Sequence, residues 1–229
     1  MQRSEINAIV EEADAFFKSF SYTLPPFAYW TPEELVAKGR SMIVERRMGW
    51  DVTDYGKGDF ASMGLFLFTV RNGLLTDLQA GGGMVYAEKI MISKKDQLAP
   101  MHKHVIKAED IINRGGGKLV LELFAPAEDG SCHPTNPVSV PVDGEIRTVD
   151  AGGLLKLDPG ESVTLLPGVW HAFWGEGDDV LIGEVSTVND DETDNIFRED
   201  IPRFTDIEED VAPNHLLVSD YERWLAKNS

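Results

Sequence analysis

The chain has 229 residues, of which 42% are hydrophobic and 26% charged, a balance ordinary for a soluble globular protein and a length sufficient to bury a core without disulfides. Its net charge of −18, from 39 acidic and 21 basic residues, opposes non-specific nucleic-acid binding, which needs cationic patches to replace counterions, and disfavours polyanionic substrates. The single cysteine, Cys132, excludes an internal disulfide and fits a reducing compartment. Residues 1–23 lack the basic, apolar and small-residue zones of a signal peptide, and no apolar run approaches the roughly 18 residues of a membrane span. The expectation is a cytoplasmic protein without nucleic-acid or membrane partners.

The first third reads as helical. Ile6, Ile9, Val10, Ala13, Phe16, Phe17 and Phe20 recur at helical spacing, with Ser4 as N-cap, until Leu24-Pro25-Pro26 stops the helix. Thr31-Pro32-Glu33-Glu34 predicts a second helix over about 32–42, with Thr31 and Glu34 forming a capping box. From about Gly64 the period changes to two, as Phe66, Phe68 and Val70 alternate. Further strands are predicted over 84–92, 119–124, 138–142, 145–149, 154–157, 162–166 and 180–188. Asp143-Gly144, Gly152-Gly153 and Pro159-Gly160 punctuate them; a short helix is expected near 109–113, and another over 219–227. Many short strands at this spacing predict a sandwich or barrel. The simplest division is a helical extension over 1–60 packed on a β-domain over 61–229, one domain overall.

Chemistry concentrates in His102-Lys103-His104, Glu109 and the distant Pro167-Gly168-Val169-Trp170-His171. On a strand, His-x-His places both imidazoles on one face. Three imidazoles and a carboxylate suit a divalent transition metal and leave open positions on an octahedral ion. Taken singly, Glu109 also reads as the first-turn acid of a helix, and His171 as a member of an aromatic cluster with Trp170 and Phe173. Jointly, His102-x-His104, four residues, Glu109, six residues and Gly116 match the first cupin motif. Gly160, seven residues, Gly168, two residues and His171 largely match the second. Pro167 stands one position late, and Gly175 replaces the asparagine expected after His171.

A narrower resemblance rests on long segments. Residues 102–117, from His102 to the glycine run Gly115-Gly116-Gly117, together with Gly183-Glu184, Asn189-Asp190-Asp191, Asp194-Asn195, Arg203-Phe204 and Ile207-Glu208-Glu209-Asp210, resemble the D-lyxose isomerase family of cupins. The likeness runs from about Leu35 to Tyr221. It implies a mainly β, jelly-roll cupin barrel, a homodimer and a Mn²⁺-type ion, with Co²⁺, Zn²⁺, Ni²⁺ or Fe²⁺ as alternatives. It also implies interconversion of D-lyxose with D-xylulose and of D-mannose with D-fructose; the chemistry expected is a metal-stabilised enediolate, with a metal-assisted hydride shift as the alternative. The metal ligands are then His102, His104, Glu109 and His171. Lys107 resembles the family's pocket lysine, and Glu208 is the leading base, with Glu184 and Glu209 as alternatives. Arg114 and Arg203 are read as orienting sugar hydroxyls or as holding surface acids, and Trp170, Phe173 and Trp174 as pocket wall or as core packing. The competing readings are an Fe(II) dioxygenase, which the same ligands would serve, and a non-catalytic sugar-binding cupin.

Overall fold

The computed structural model describes residues 1–39 and 41–227. Its helices are α1 (Arg3–Ser19), α2 (Pro32–Ala37), α3 (Met42–Glu45), α4 (Leu75–Ala80) and α5 (Tyr221–Lys227). Its strands are β1 (Gly49–Thr53), β2 (Leu65–Asn72), β3 (Tyr86–Ser93), β4 (Ala99–His104), β5 (Glu109–Phe124) and β6 (Val138–Val142). They continue with β7 (Glu145–Val149), β8 (Gly153–Leu157), β9 (Ser162–Leu165), β10 (Trp170–Thr187) and β11 (Asn195–Phe197). All strand pairs are antiparallel, in the order β1-β2-β3-β10-β5-β9-β6-β7, with β8 on β5 and β4 bridging β10 to β11. The chain is mainly β, as its spacing predicts.

The strands β1, β2 and β3 have two buried faces, because strand side chains alternate. Trp50, Val52, Phe66, Phe68, Ile90 and Ile92 pack against Ile6, Val10, Ala13 and Phe17 of α1. The intervening residues Leu67 and Met91 join a second core with Ile111, Leu121, Phe173 and Ile182 inside the barrel. Each fully buried side chain of this kind stabilises by roughly 1.5–3 kcal/mol. The Thr31 capping box forms as predicted, although α2 is shorter than expected and α3 follows it.

Three expectations are corrected. Residues 109–113 are the start of β5 and not a helix, since Glu109, Ile111 and Asn113 are buried while Asp110, Ile112 and Arg114 are more open, the signature of period two. The first strand is Gly49–Thr53, before Gly64; it is buried on both faces and so shows no alternation to read. Ser4 is not an N-cap: α1 starts after Gln2 without a side-chain cap, and Ser4 Oγ bonds Asp210.

Two glycines are fixed by close approach. Gly116 adopts φ +95°, and a Cβ there would lie 2.0 Å from the Asp179 carbonyl. At Gly175, a Cβ would lie 2.9 Å from Asp178 O and 3.1 Å from Ser93 O, which accounts for glycine where the cupin motif has asparagine.

The N- and C-terminal segments are joined through Arg3, which is completely buried. Its guanidinium donates to both carboxylate oxygens of Asp220, at 2.8 and 2.9 Å, and to both of Glu209, at 2.8 Å. Removing one partner of such a pair strands the other charge. Arg3→Ala therefore lowers the unfolding free energy by about 3–5 kcal/mol in urea titration, whereas Arg223→Ala, at the exposed side of the same cluster, changes it by less than about 1 kcal/mol. Hydrogen bonding from Arg3, then from Arg223, holds Glu209 down at about 2 against an ordinary 4.5. A carboxylate with a depressed folded pKa stabilises above its unfolded pKa and loses that contribution as pH falls through the folded one. The Arg3→Ala penalty accordingly shrinks as pH drops from about 4.5 toward about 2.

Candidate active site

Strand β4 turns His102 and His104 inward and Met101 and Lys103 outward, where Met101 packs with Trp170 and Ala172. The β10 register sets His171 opposite His102. One ring nitrogen from each of the three histidines lies within 4.8 Å of the others. Glu109, the first residue of β5, brings Oε1 to 3.1 Å from His171 Nε2 and 3.4 Å from His104 Nε2.

The electronic state of these groups suits a cation. His102 Nδ1 lies 2.8 Å from Pro100 O and His171 Nδ1 lies 3.1 Å from Val169 O. A carbonyl only accepts, so each Nδ1 carries hydrogen and Nε2 is the nitrogen left to face the cluster. Burial, then His171 and His104, pushes His102 well below 6.5, and burial, then Lys107, lowers His104. Burial opposes a charge on Glu109, yet Lys107 and His104 hold it well below the usual carboxylate range. Neutral imidazoles beside an ionised carboxylate are the ligand forms of these side chains. Glu109 Oε1 is buried and makes no hydrogen bond among the described residues, a donor atom available to a metal.

The cluster forms one wall of a small cavity. On another wall the charges alternate. Lys107 Nζ lies 2.7 Å from Glu109 Oε2 and 2.9 Å from Glu184 Oε1, and Lys89 Nζ lies 3.4 Å from that same Oε1. Lys89 donates to Asn189 Oδ1 at 2.6 Å, and Asn189 donates to Asp191 at 2.9 Å. Arg203 closes the series, 3.3 Å from Asp191 and 2.6 Å from Asp51. Burial favours neutral Lys107, but Glu109 and Glu184 hold its pKa above the ordinary lysine value. Glu184 is held below the ordinary value, burial notwithstanding, by Lys107 and Lys89.

Phe173, Arg203, Lys107 and Glu184 line the cavity. Trp170 does not. It packs with Met101 and Ala172 on the outer face and donates its indole N–H to Gly130 O. The reason is parity. His171 and Phe173 face inward, and the register shift between Glu176 and Val180 then switches the inward set to Val180, Ile182 and Glu184. Trp174, on the outward set, is likewise absent from the cavity wall. Arg114 is exposed and lines a groove on the opposite face of the sheet with Tyr22, Glu88 and Val185. Glu208 is exposed, and its backbone pairs with Met1 and Arg3. Its neighbour Glu209 is engaged by Arg3 and Arg223. Neither reaches the cavity: the acidic run 206–210 anchors the N-terminus.

Sequence reasoning missed Lys89, Tyr55, Phe197 and the role of the 189–195 segment. Asp194 accepts from the backbone N–H groups of Val105, Ile106 and Lys107 at 2.7–3.0 Å, fixing the turn between the metal-ligand strands. The signal existed in the Asp191, Asp194 and Asn195 run. Lys89 had none, since a lysine in an alternating strand reads as its solvent face.

The sequence profile of D-lyxose isomerase matches residues 1–221. The chain belongs to the D-lyxose isomerase family. It is 46% identical to a D-lyxose/D-mannose isomerase of Serratia proteamaculans over 232 aligned positions, covering 99% of this chain and 100% of that one. A D-lyxose/D-mannose isomerase of Escherichia coli O157:H7 is 41% identical, with 98% and 100% coverage. In structure, this D-lyxose isomerase family member resembles L-ribose isomerase of Cellulomonas parahominis bound to L-ribose, with TM-score 0.61 and 16% identity over 91% of this chain and 98% of that one. L-ribose isomerase of Acinetobacter sp. DL28 gives TM-score 0.61 at 17% identity with the same coverage. These two likenesses bear on the fold, which is of cupin type.

For the metal cluster, His104→Ala is expected to drop bound divalent metal far below one ion per chain after dialysis, because a lost ligand leaves the ion with weaker coordination. Trp170→Phe, on the outer face, is expected to leave metal content unchanged. Elemental analysis of both proteins against wild type measures the difference.

Proposed function

We propose that this chain interconverts D-lyxose with D-xylulose and D-mannose with D-fructose as free sugars in the cytoplasm. The proposed cofactor is Mn²⁺, held by His102, His104, Glu109 and His171. The carrying observation is that the imidazole–carboxylate cluster and the buried Lys107–Glu184 pair share one cavity. The names of the full-length relatives support the choice of sugars. The borderline donor set suits a first-row divalent ion. The homodimer remains part of the proposal.

A bound divalent ion would supply Lewis-acid stabilisation of negative charge on the sugar oxygens. Glu184 is ionised and fits removal of the proton from C2 of the aldose and its return to C1. Lys107 stays protonated and acts as a hydrogen-bond donor toward a sugar oxygen. Arg203 Nη1 is buried without a hydrogen bond among the described residues, a donor suited to a hydroxyl farther along the sugar. Glu184 thus takes the role first expected of Glu208.

Metal-stripped protein is expected to be inactive on a panel of pentoses and hexoses, and Mn²⁺ loading to restore ketose formation from D-lyxose and D-mannose in preference to D-xylose and D-glucose. Equal turnover of D-lyxose and D-xylose, or oxygen consumption by the Fe²⁺ form, contradicts the reading. Glu184→Gln is expected to lower kcat by about 10²–10⁴-fold with unchanged metal content. Glu208→Gln is expected to stay near wild type. Turnover in D₂O with solvent deuterium in the product supports the proton route; near-normal Glu184→Gln turnover without exchange points to a hydride shift.

A further inference from the structure

Lys89 is a buried cation that the reaction scheme leaves unused. It sits on β3, among residues that alternate between the α1 core and the cavity, and it points to the cavity side with Met91. Only 3% of it is exposed. A buried ammonium needs partners for its charge and its protons. Two are present: Asn189 Oδ1 at 2.6 Å and Glu184 Oε1 at 3.4 Å.

The choice of oxygen matters. Lys107 also reaches Glu184 through Oε1, at 2.9 Å. Two ammonium groups from different elements therefore converge on one carboxylate oxygen, while Oε2 receives no hydrogen bond among the described residues. A carboxylate oxygen that accepts a hydrogen bond from one ammonium and lies against a second is a poor proton acceptor; the other oxygen is the competent one. Lys107 cannot supply this alone, because it also serves Glu109 at 2.7 Å. Asn189 tethers Lys89 from the opposite side, and Asn189 is itself fixed by its N–H to Asn72 Oδ1 at 3.0 Å and its amide to Asp191 at 2.9 Å.

We propose that Lys89 is a positioning residue for the isomerisation: with Lys107 it occupies Oε1 of Glu184, keeps that carboxylate ionised and presents Oε2 to the sugar. The proposal rests on Glu184 being the base. The charged groups facing Glu184 are Lys107 from the β4–β5 turn, Lys89 from β3 and Glu109 from β5. Removing Lys89 leaves one cation against the repulsion of Glu109, so protonation of Glu184 becomes easier and the acid limb of the rate profile moves to higher pH.

The test is the pH dependence of kcat for the Mn²⁺-loaded protein with D-lyxose, in Lys89→Met, Lys89→Gln and Lys89→Arg. The neutral variants are expected to shift the acid limb of kcat upward by about one pH unit and to lower kcat at its plateau by about 10-fold or more, with metal content and KM near wild type. Lys89→Arg keeps the charge, so its acid limb stays at the wild-type position while the plateau falls, because a guanidinium cannot reproduce the ammonium's position. An unshifted limb in the neutral variants overturns the proposal, as does loss of the metal from them, which assigns Lys89 to the ion's site. If the neutral variants do not fold, Lys89→Arg carries the test, and a displaced limb or an undiminished plateau overturns it. Failure of the underlying reading is separate: it shows as an active Glu184→Gln, whatever the Lys89 variants do.

Discussion

The Lys107 ammonium, buried between two carboxylates, is the contact on which the rest of the site depends. It is 2.7 Å from Glu109 and 2.9 Å from Glu184, and all three side chains are shielded from water. Removing these charges from water costs several kcal/mol each, so the arrangement persists only because every charge meets an opposite one. The series does not balance internally. Three cations, Lys107, Lys89 and Arg203, face four carboxylates, Glu109, Glu184, Asp191 and Asp51. A cation bound at the imidazole cluster would offset that excess. The same lysine thereby links the carboxylate that faces the histidines to the carboxylate proposed for proton transfer.

The barrel wall makes this possible by using both sides of its strands. In β2 and β3 one set of residues packs under α1, and the alternate set forms the cavity floor. The N-terminal helix is thus the apolar cover on the reverse face of these strands, against Phe66, Phe68, Ile90 and Ile92. Arg3 fixes the start of that helix to the C-terminal segment, so the cover is held at both ends of the chain.

Much of this was legible in the sequence because it follows from short spacings. His102-x-His104, Glu109 and His171 lie on strands whose alternation brings them together, and the capping box of α2 reads directly from Thr31 and Glu34. The misplaced residues share another cause. Trp170 and Arg114 lie off the cavity because a strand sends neighbouring residues to opposite faces. The register shifts in β10, which move Glu184 inward, leave no mark in a hydrophobic pattern. Glu208 illustrates a surface role: an acidic run reads equally well as a site or as an anchor, and here it holds Met1 and Arg3. Lys89 became visible only once β3 was seen to be buried on both faces.

The account makes one geometric claim above all: the ion and the carboxylate of Glu184 flank the carbons that exchange hydrogen. A crystal structure of the Mn²⁺-loaded protein with bound D-fructose, with the ion located by anomalous scattering, tests it most directly. The account predicts one ion held by His102, His104, Glu109 and His171, the sugar's C1 and C2 between it and Glu184, and the carboxylate within hydrogen-bond range of one of those carbons' hydrogens or hydroxyls. An ion bound elsewhere, or a sugar whose C1–C2 edge faces away from Glu184, would contradict it.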